Sequence, residues 1–67
     1  MINLSEHMVG RNYHIILNNN TSLKGKCVSY IPAKDNEPEI NSLWFETTNG
    51  KVVEIYLPAI KQIDRID

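Results

Sequence analysis

The residue types that carry covalent chemistry are few in this chain, and none stands beside a partner that would activate it. Ser5, Ser22, Ser29 and Ser42 have no adjacent base and no oxyanion motif in sequence. His7 and His14 have no Asp, Glu or Cys at ligand spacing, so no metal site is expected within one chain. The three glycines stand apart and form no phosphate-cradling loop. The single cysteine, Cys27, excludes an internal disulfide and reads as a small apolar residue in a buried strand. A non-enzyme without a cofactor is expected.

Binding chemistry is better represented. Lys24 and Lys26 share one face of a strand, and with Lys51 and Lys61 they could form a basic patch bordered by Arg11 and Arg65. A solvated strand face is the commoner outcome for such lysines. The net charge of −1 argues against strong non-specific nucleic-acid binding. Trp44 adjoins Phe45, and strand neighbours point to opposite faces, so one ring belongs to the core and the other to a surface or interface. Tyr30 and Tyr56 are amphipathic rings suited to a rim. Asp35, Glu37 and Glu39 lie in one acidic stretch that could face a basic partner.

The elements that must position these residues are legible from alternation and turn chemistry. At 67 residues the chain is one small domain with a modest core. Residues 1–11 suggest a short helix, with Asn3 or Ser5 as its cap, Leu4, Met8 and Val9 as an apolar stripe, and Gly10 as its stop. Tyr13, Ile15 and Leu17 alternate with His14 and Ile16 in a first strand, and the Asn18 to Asn20 cluster turns the chain into a second. Gly25 inside that second strand implies a bend or a close backbone approach. Residues 31–42, rich in proline and acids, read as an inserted loop. Residues 43–47 and 51–57 form a second hairpin about Asn49-Gly50, expected as a type I′ turn. Pro58 ends that hairpin, and a 3₁₀ turn leads to a last short strand at 61–65, although the spacing of Ile60, Ile63 and Ile66 also fits a helix. No apolar run is long enough for a membrane span or a signal core, which points to a cytoplasmic protein. The expected architecture is mainly β: a five-stranded SH3-like barrel over residues 12–66 with a short N-terminal helix.

Two stretches resemble the Sm-like (LSm) family of small barrels. The first is Ile15, Ile16 and Leu17, the Asn turn, then Leu23, Gly25, Cys27 and Tyr30; the second is residues 41–60 with Gly50-Lys51 at its hairpin. The resemblance implies RNA binding and rings built by pairing the fourth strand of one chain with the fifth of the next. If RNA binds, the residues expected to contact it by their own charge and rings are Lys24, Lys26, Tyr30, Lys51 and Tyr56. Subunit or partner contacts fall to Trp44, Val52, Tyr56 and Ile63. In the bacterial branch a tyrosine, lysine and histidine close the second motif, and the last two bind RNA; here the positions hold Tyr56, Leu57 and Pro58. The stacking aromatic of that branch is matched by Ser42, and the acid after its first motif by Ile31. Two expectations follow: an Sm-like module, RNA-binding and ring-forming, or a protein-interaction module of regulatory type. The second would use Asp35, Glu37 and Glu39 or an open strand edge.

Overall fold

In a computed structural model describing residues 2–67, alternation and turn residues produce five strands. They are β1 (Asn12–Leu17), β2 (Ser22–Ile31), β3 (Ser42–Thr47), β4 (Val52–Tyr56) and β5 (Ile60–Arg65). The sheet is antiparallel throughout, in the order β4-β3-β2-β1-β5. Single 3₁₀ turns occupy Glu6–Met8, Ala33–Asp35 and Leu57–Ala59.

Both hairpins turn by the same device. Asn20 N–H donates to the Leu17 carbonyl (2.8 Å) and Leu17 N–H to Thr21 (2.9 Å); Gly50 N–H donates to Thr47 (2.9 Å) and Thr47 N–H to Lys51 (2.8 Å). The left-handed position is filled by Asn20 (φ 67°) in one and Gly50 (φ 88°) in the other. Asn49 has an ordinary φ, so the second turn is a three-residue connection ending in a left-handed residue, not the expected type I′ turn.

The ten residues of β2 serve two ladders in succession. Ser22 to Lys26 pair with β1, and Gly25 to Ile31 pair with β3, so Gly25 stands opposite both Tyr13 and Thr47. A Cβ at Gly25 would lie 2.8 Å from Thr47 Cα and closer still to the Glu46 carbonyl oxygen. That is the close backbone approach expected of this glycine. A bulge between Cys27 and Ser29 adds to the bend of β2. On the inner face Ile15, Cys27, Leu43 and Phe45 are fully buried, joined by Ile55, Ile60, Leu4 and Met8. Phe45 is therefore the core ring, and Trp44 faces outward, 38% exposed.

Two features depart from the expected architecture. The sheet does not close into a barrel, because β5 pairs along its length with β1 and no ladder joins it to β4. Alternation dictates which side chains face inward, but not whether two terminal strands meet. Among the described residues the N-terminal helix expected over 1–11 is also absent, with one 3₁₀ turn in its place; Met1 lies outside the described residues. Two turns of isolated helix are marginal. The segment instead bonds to β2, through Gly10 N–H to the Cys27 carbonyl (2.8 Å) and Cys27 N–H to the Arg11 carbonyl (3.0 Å). This seats Leu4 and Met8 on the core.

Candidate functional site

An open sheet has two free edges, and in this chain they differ. Along β4, Lys51 and Leu57 are tied to β3 and its approach, by Thr47 N–H to the Lys51 carbonyl and Leu57 N–H to the Asn41 carbonyl (2.9 Å). Antiparallel alternation then turns the N–H and C=O of Val52, Glu54 and Tyr56 away from the sheet. The strand is regular, and no Lys or Pro lies within it.

The same three residues present side chains on the outer face, in register with Trp44 and Glu46. Val52 is 54% exposed, and Trp44, diagonal to it on β3, is 38% exposed, so two apolar side chains stand open to solvent near the edge. Glu54 does not project from it. Its carboxylate accepts the Ser42 hydroxyl (2.8 Å) and the Tyr56 hydroxyl (3.3 Å). Ser42 is fully buried and in turn accepts Asn36 Nδ2 (2.9 Å), whose amide also reaches the Ile40 carbonyl (2.8 Å). Partial burial and the Glu54 carboxylate hold the Tyr56 hydroxyl above its ordinary range.

The β5 edge is defended. A bulge at Lys61 breaks its register with β1, since Ile16 opposes Gln62 and Leu17 opposes Ile60. Lys61 Nζ donates to Asn20 Oδ1 (2.9 Å), Gln62 to Asp64 (2.7 Å), and Arg65 Nε pairs with Asp67 (2.8 Å). Bulges, lysines and charges are the devices that keep exposed edges from pairing.

Beyond the Val52 end of β4 the inner face opens into a groove of about 330 Å³. Leu23 and Val53 line it with Lys24, Lys51, Thr48 and Asn49, and no carboxylate is among its walls. The Ser22 hydroxyl at its margin bonds His14 Nε2 (2.6 Å).

The residues singled out by sequence are thus dispersed. Lys24 and Lys51 are both among the residues lining the groove, and Lys26 lies on β2 opposite Glu46. Tyr30, opposite Leu43, packs on the core, and Tyr56 is tied to Glu54. Ile63 is half-buried opposite Ile15. Asp35, Glu37 and Glu39 are exposed, but their loop is anchored by Asn36 and by Asn41, whose Oδ1 accepts Ala33 N–H (2.7 Å). Sequence reasoning missed the Asn36–Ser42–Glu54 chain of bonds. Its only signal was the placement of Ser42 and Glu54, which face Tyr56 and Trp44 across the β3–β4 ladder. Among the described residues no group of three or more His, Cys, Asp and Glu could hold a metal ion, and no helix is long and apolar enough to cross a membrane.

Compared with known protein families, with characterised proteins and with solved structures, the chain matches none. The Sm-like resemblance is overturned by the open sheet and the missing N-terminal helix. The expected RNA-binding ring goes with it, since it rested on the barrel and on contacts that the structure scatters. A mainly β, five-stranded antiparallel sheet is what remains.

Proposed function

We propose that this chain is a docking module that receives an extended segment of another polypeptide on the β4 edge. The observation that carries the reading is the undefended state of β4 beside exposed Trp44 and Val52, in a protein whose other edge is blocked by a bulge and charges. An added strand takes its affinity from main-chain bonds to Val52, Glu54 and Tyr56, and its specificity from the side chains flanking them. Trp44 supplies the large buried-area anchor that such interfaces use.

A second copy of the chain is the weaker candidate. Antiparallel β4–β4 pairing centred on Glu54 sets two Glu54 residues directly opposite, which is destabilising. Pairing of β4 with the β5 edge of another copy meets the Lys61 bulge. A partner of different sequence meets neither obstacle.

The test is amide hydrogen exchange on the chain alone and with peptides selected on it from a displayed heptapeptide library. The Val52, Glu54 and Tyr56 amides exchange rapidly in the free chain and become protected together when a selected peptide binds. Protection elsewhere with these three unchanged refutes the edge. A light-scattering mass that rises with concentration, with the same three amides protected, assigns the edge to a second copy.

A further inference from the structure

A strand added along β4 covers Glu54, because residues directly opposite one another in a ladder share a face and touch. What it covers is a carboxylate already fixed in position. Glu54 is half-buried on the outer face; its Oε2 accepts the Ser42 hydroxyl (2.8 Å) and its Oε1 the Tyr56 hydroxyl (3.3 Å). Both of these partners are neutral. Among the described residues the one ion pair is Arg65–Asp67, so no cation answers the Glu54 charge. An ionised carboxylate has about four acceptor sites, and the two hydroxyls leave the others open. Trp44 stands directly across the β3–β4 ladder from Glu54, on the same face.

Resting on the docking reading, we infer that the docked segment carries an arginine opposite Glu54, whose guanidinium pairs with the Glu54 carboxylate beside Trp44. The other residue classes fit worse. An apolar side chain there strips water from a half-buried charge without pairing it, and an acid meets like charge. Between the two long cations, the open acceptor sites and the aromatic neighbour favour arginine. Its planar fork donates two charge-assisted bonds at once and stacks on aromatic faces, whereas lysine is a compact, strongly hydrated point charge. The next outward position of the segment falls opposite Val52, which is 54% exposed and takes an apolar side chain. The motif is therefore Arg-x-apolar in a segment antiparallel to β4, and apolar-x-Arg in a parallel one.

The experiment is a parallel heptapeptide selection on the wild type, on Glu54→Gln, which keeps the side chain's shape, and on Glu46→Gln, which removes a different acid of the same face. Synthetic versions of the winners are then titrated by the fluorescence of Trp44, the only tryptophan. On the wild type and on Glu46→Gln, winners carry arginine at one fixed position, two residues from an apolar one. Changing that arginine to glutamine weakens binding to the wild type by roughly tenfold or more, the range of a charge-assisted bond, and changing it to lysine costs less. The peptide-side change leaves the protein untouched, so a folding defect cannot imitate it. On Glu54→Gln the arginine preference disappears while apolar peptides still bind. Winners without a base, or a basic preference that survives Glu54→Gln or vanishes with Glu46→Gln, overturn the pairing and leave the edge standing. Peptides that bind without protecting the Val52, Glu54 and Tyr56 amides overturn the edge itself.

Discussion

The two edge strands of this sheet make a natural controlled pair. β4 and β5 have similar length, each is paired on one side only, and one 3₁₀ turn, Leu57–Ala59, joins them. Their treatment is opposite. β5 carries Lys61, Asp64 and Arg65, has a bulge in its ladder, and is followed by a tail in which Asp67 accepts Asn12 N–H (3.1 Å). β4 carries one charge, Glu54, and that charge is bonded back onto the sheet. An edge left bare for no reason is a hazard in a soluble domain. The asymmetry is the ground on which the docking proposal places its surface at β4, and it can be broken or sharpened by substitution.

The largest effect is expected where the two edges are mechanically joined. Gly25 is the β2 residue shared by the ladder leading to β5 and the one leading to β4, and it has no room for a Cβ beside the Glu46 carbonyl. Because the obstacle is backbone, Gly25→Ala forces the two halves apart instead of moving one side chain. A loss of about 2–4 kcal/mol is expected, read as a lower denaturant midpoint. A change under about 0.5 kcal/mol would mean that β2 bends freely here and that the halves are not coupled through it.

Next in size is Ser42→Ala, which leaves the half-buried Asn36 amide and Glu54 carboxylate each short of a partner. A loss of about 1 kcal/mol in stability follows, because both groups are half-exposed and each keeps one other bond. The comparison makes a sharper forecast. Released from Ser42, Glu54 can swing out along the edge and defend it as Lys61 defends β5. Ser42→Ala should thus weaken β4-edge peptides by more than Asn36→Ala, which loosens the loop but leaves the Ser42–Glu54 bond. Equal weakening would show that Glu54 orientation does not gate the edge.

How much of this was legible in sequence follows from what alternation encodes. A period of two reveals faces, so the strands, both hairpins and the tight passage at Gly25 could be read from Tyr13, Ile15, Leu17 and the Asn and Gly turns. It is silent on which terminal strands meet, and so on whether the sheet closes. Leu4 and Met8, four apart, fit a helical stripe as well as two contacts from an irregular segment; the bonds from Gly10 and Arg11 to Cys27 that decide the matter are non-local. Lys24 and Lys51 were nameable as cations, but that both line one groove depends on Thr48 N–H reaching the Lys24 carbonyl (2.9 Å), a contact between two hairpins. Val52 could be named from sequence as an interface candidate. That the edge beneath it is bare became visible only with the strand order.

A reciprocal pair of edge changes follows, small in stability and clear in association. Val52→Lys puts a charge on β4 at its most exposed apolar position, and Lys61→Val removes one from β5. Both are surface changes, expected to move stability by no more than about 0.5 kcal/mol. Val52→Lys should abolish peptide protection of the Glu54 and Tyr56 amides. Lys61→Val should raise the concentration-dependent mass by light scattering, because it strips a lysine from an exposed edge. If Lys61→Val stays unchanged in mass, the bulge alone defends β5.

The smallest effect tests the far end of the defended edge. Arg65 Nε bonds the Asp67 carboxylate, and Asn12 donates to it from both its backbone N–H and its side-chain amide (3.2 Å). These donors hold the Asp67 carboxyl below its ordinary 3.8. A folded-state value below the unfolded one means that the native state binds the proton less readily. The stabilisation is therefore complete above 3.8 and drains away as pH falls through the depressed value. Asp67→Asn should lower the denaturant midpoint slightly near neutrality, and the gap from the wild type should close in strong acid. A gap that persists unchanged into acid would mean that Asp67 acts by its shape and hydrogen bonds, not its charge. The β5 tail would then be a polar clasp and no part of the electrostatic defence that sets this edge apart from β4.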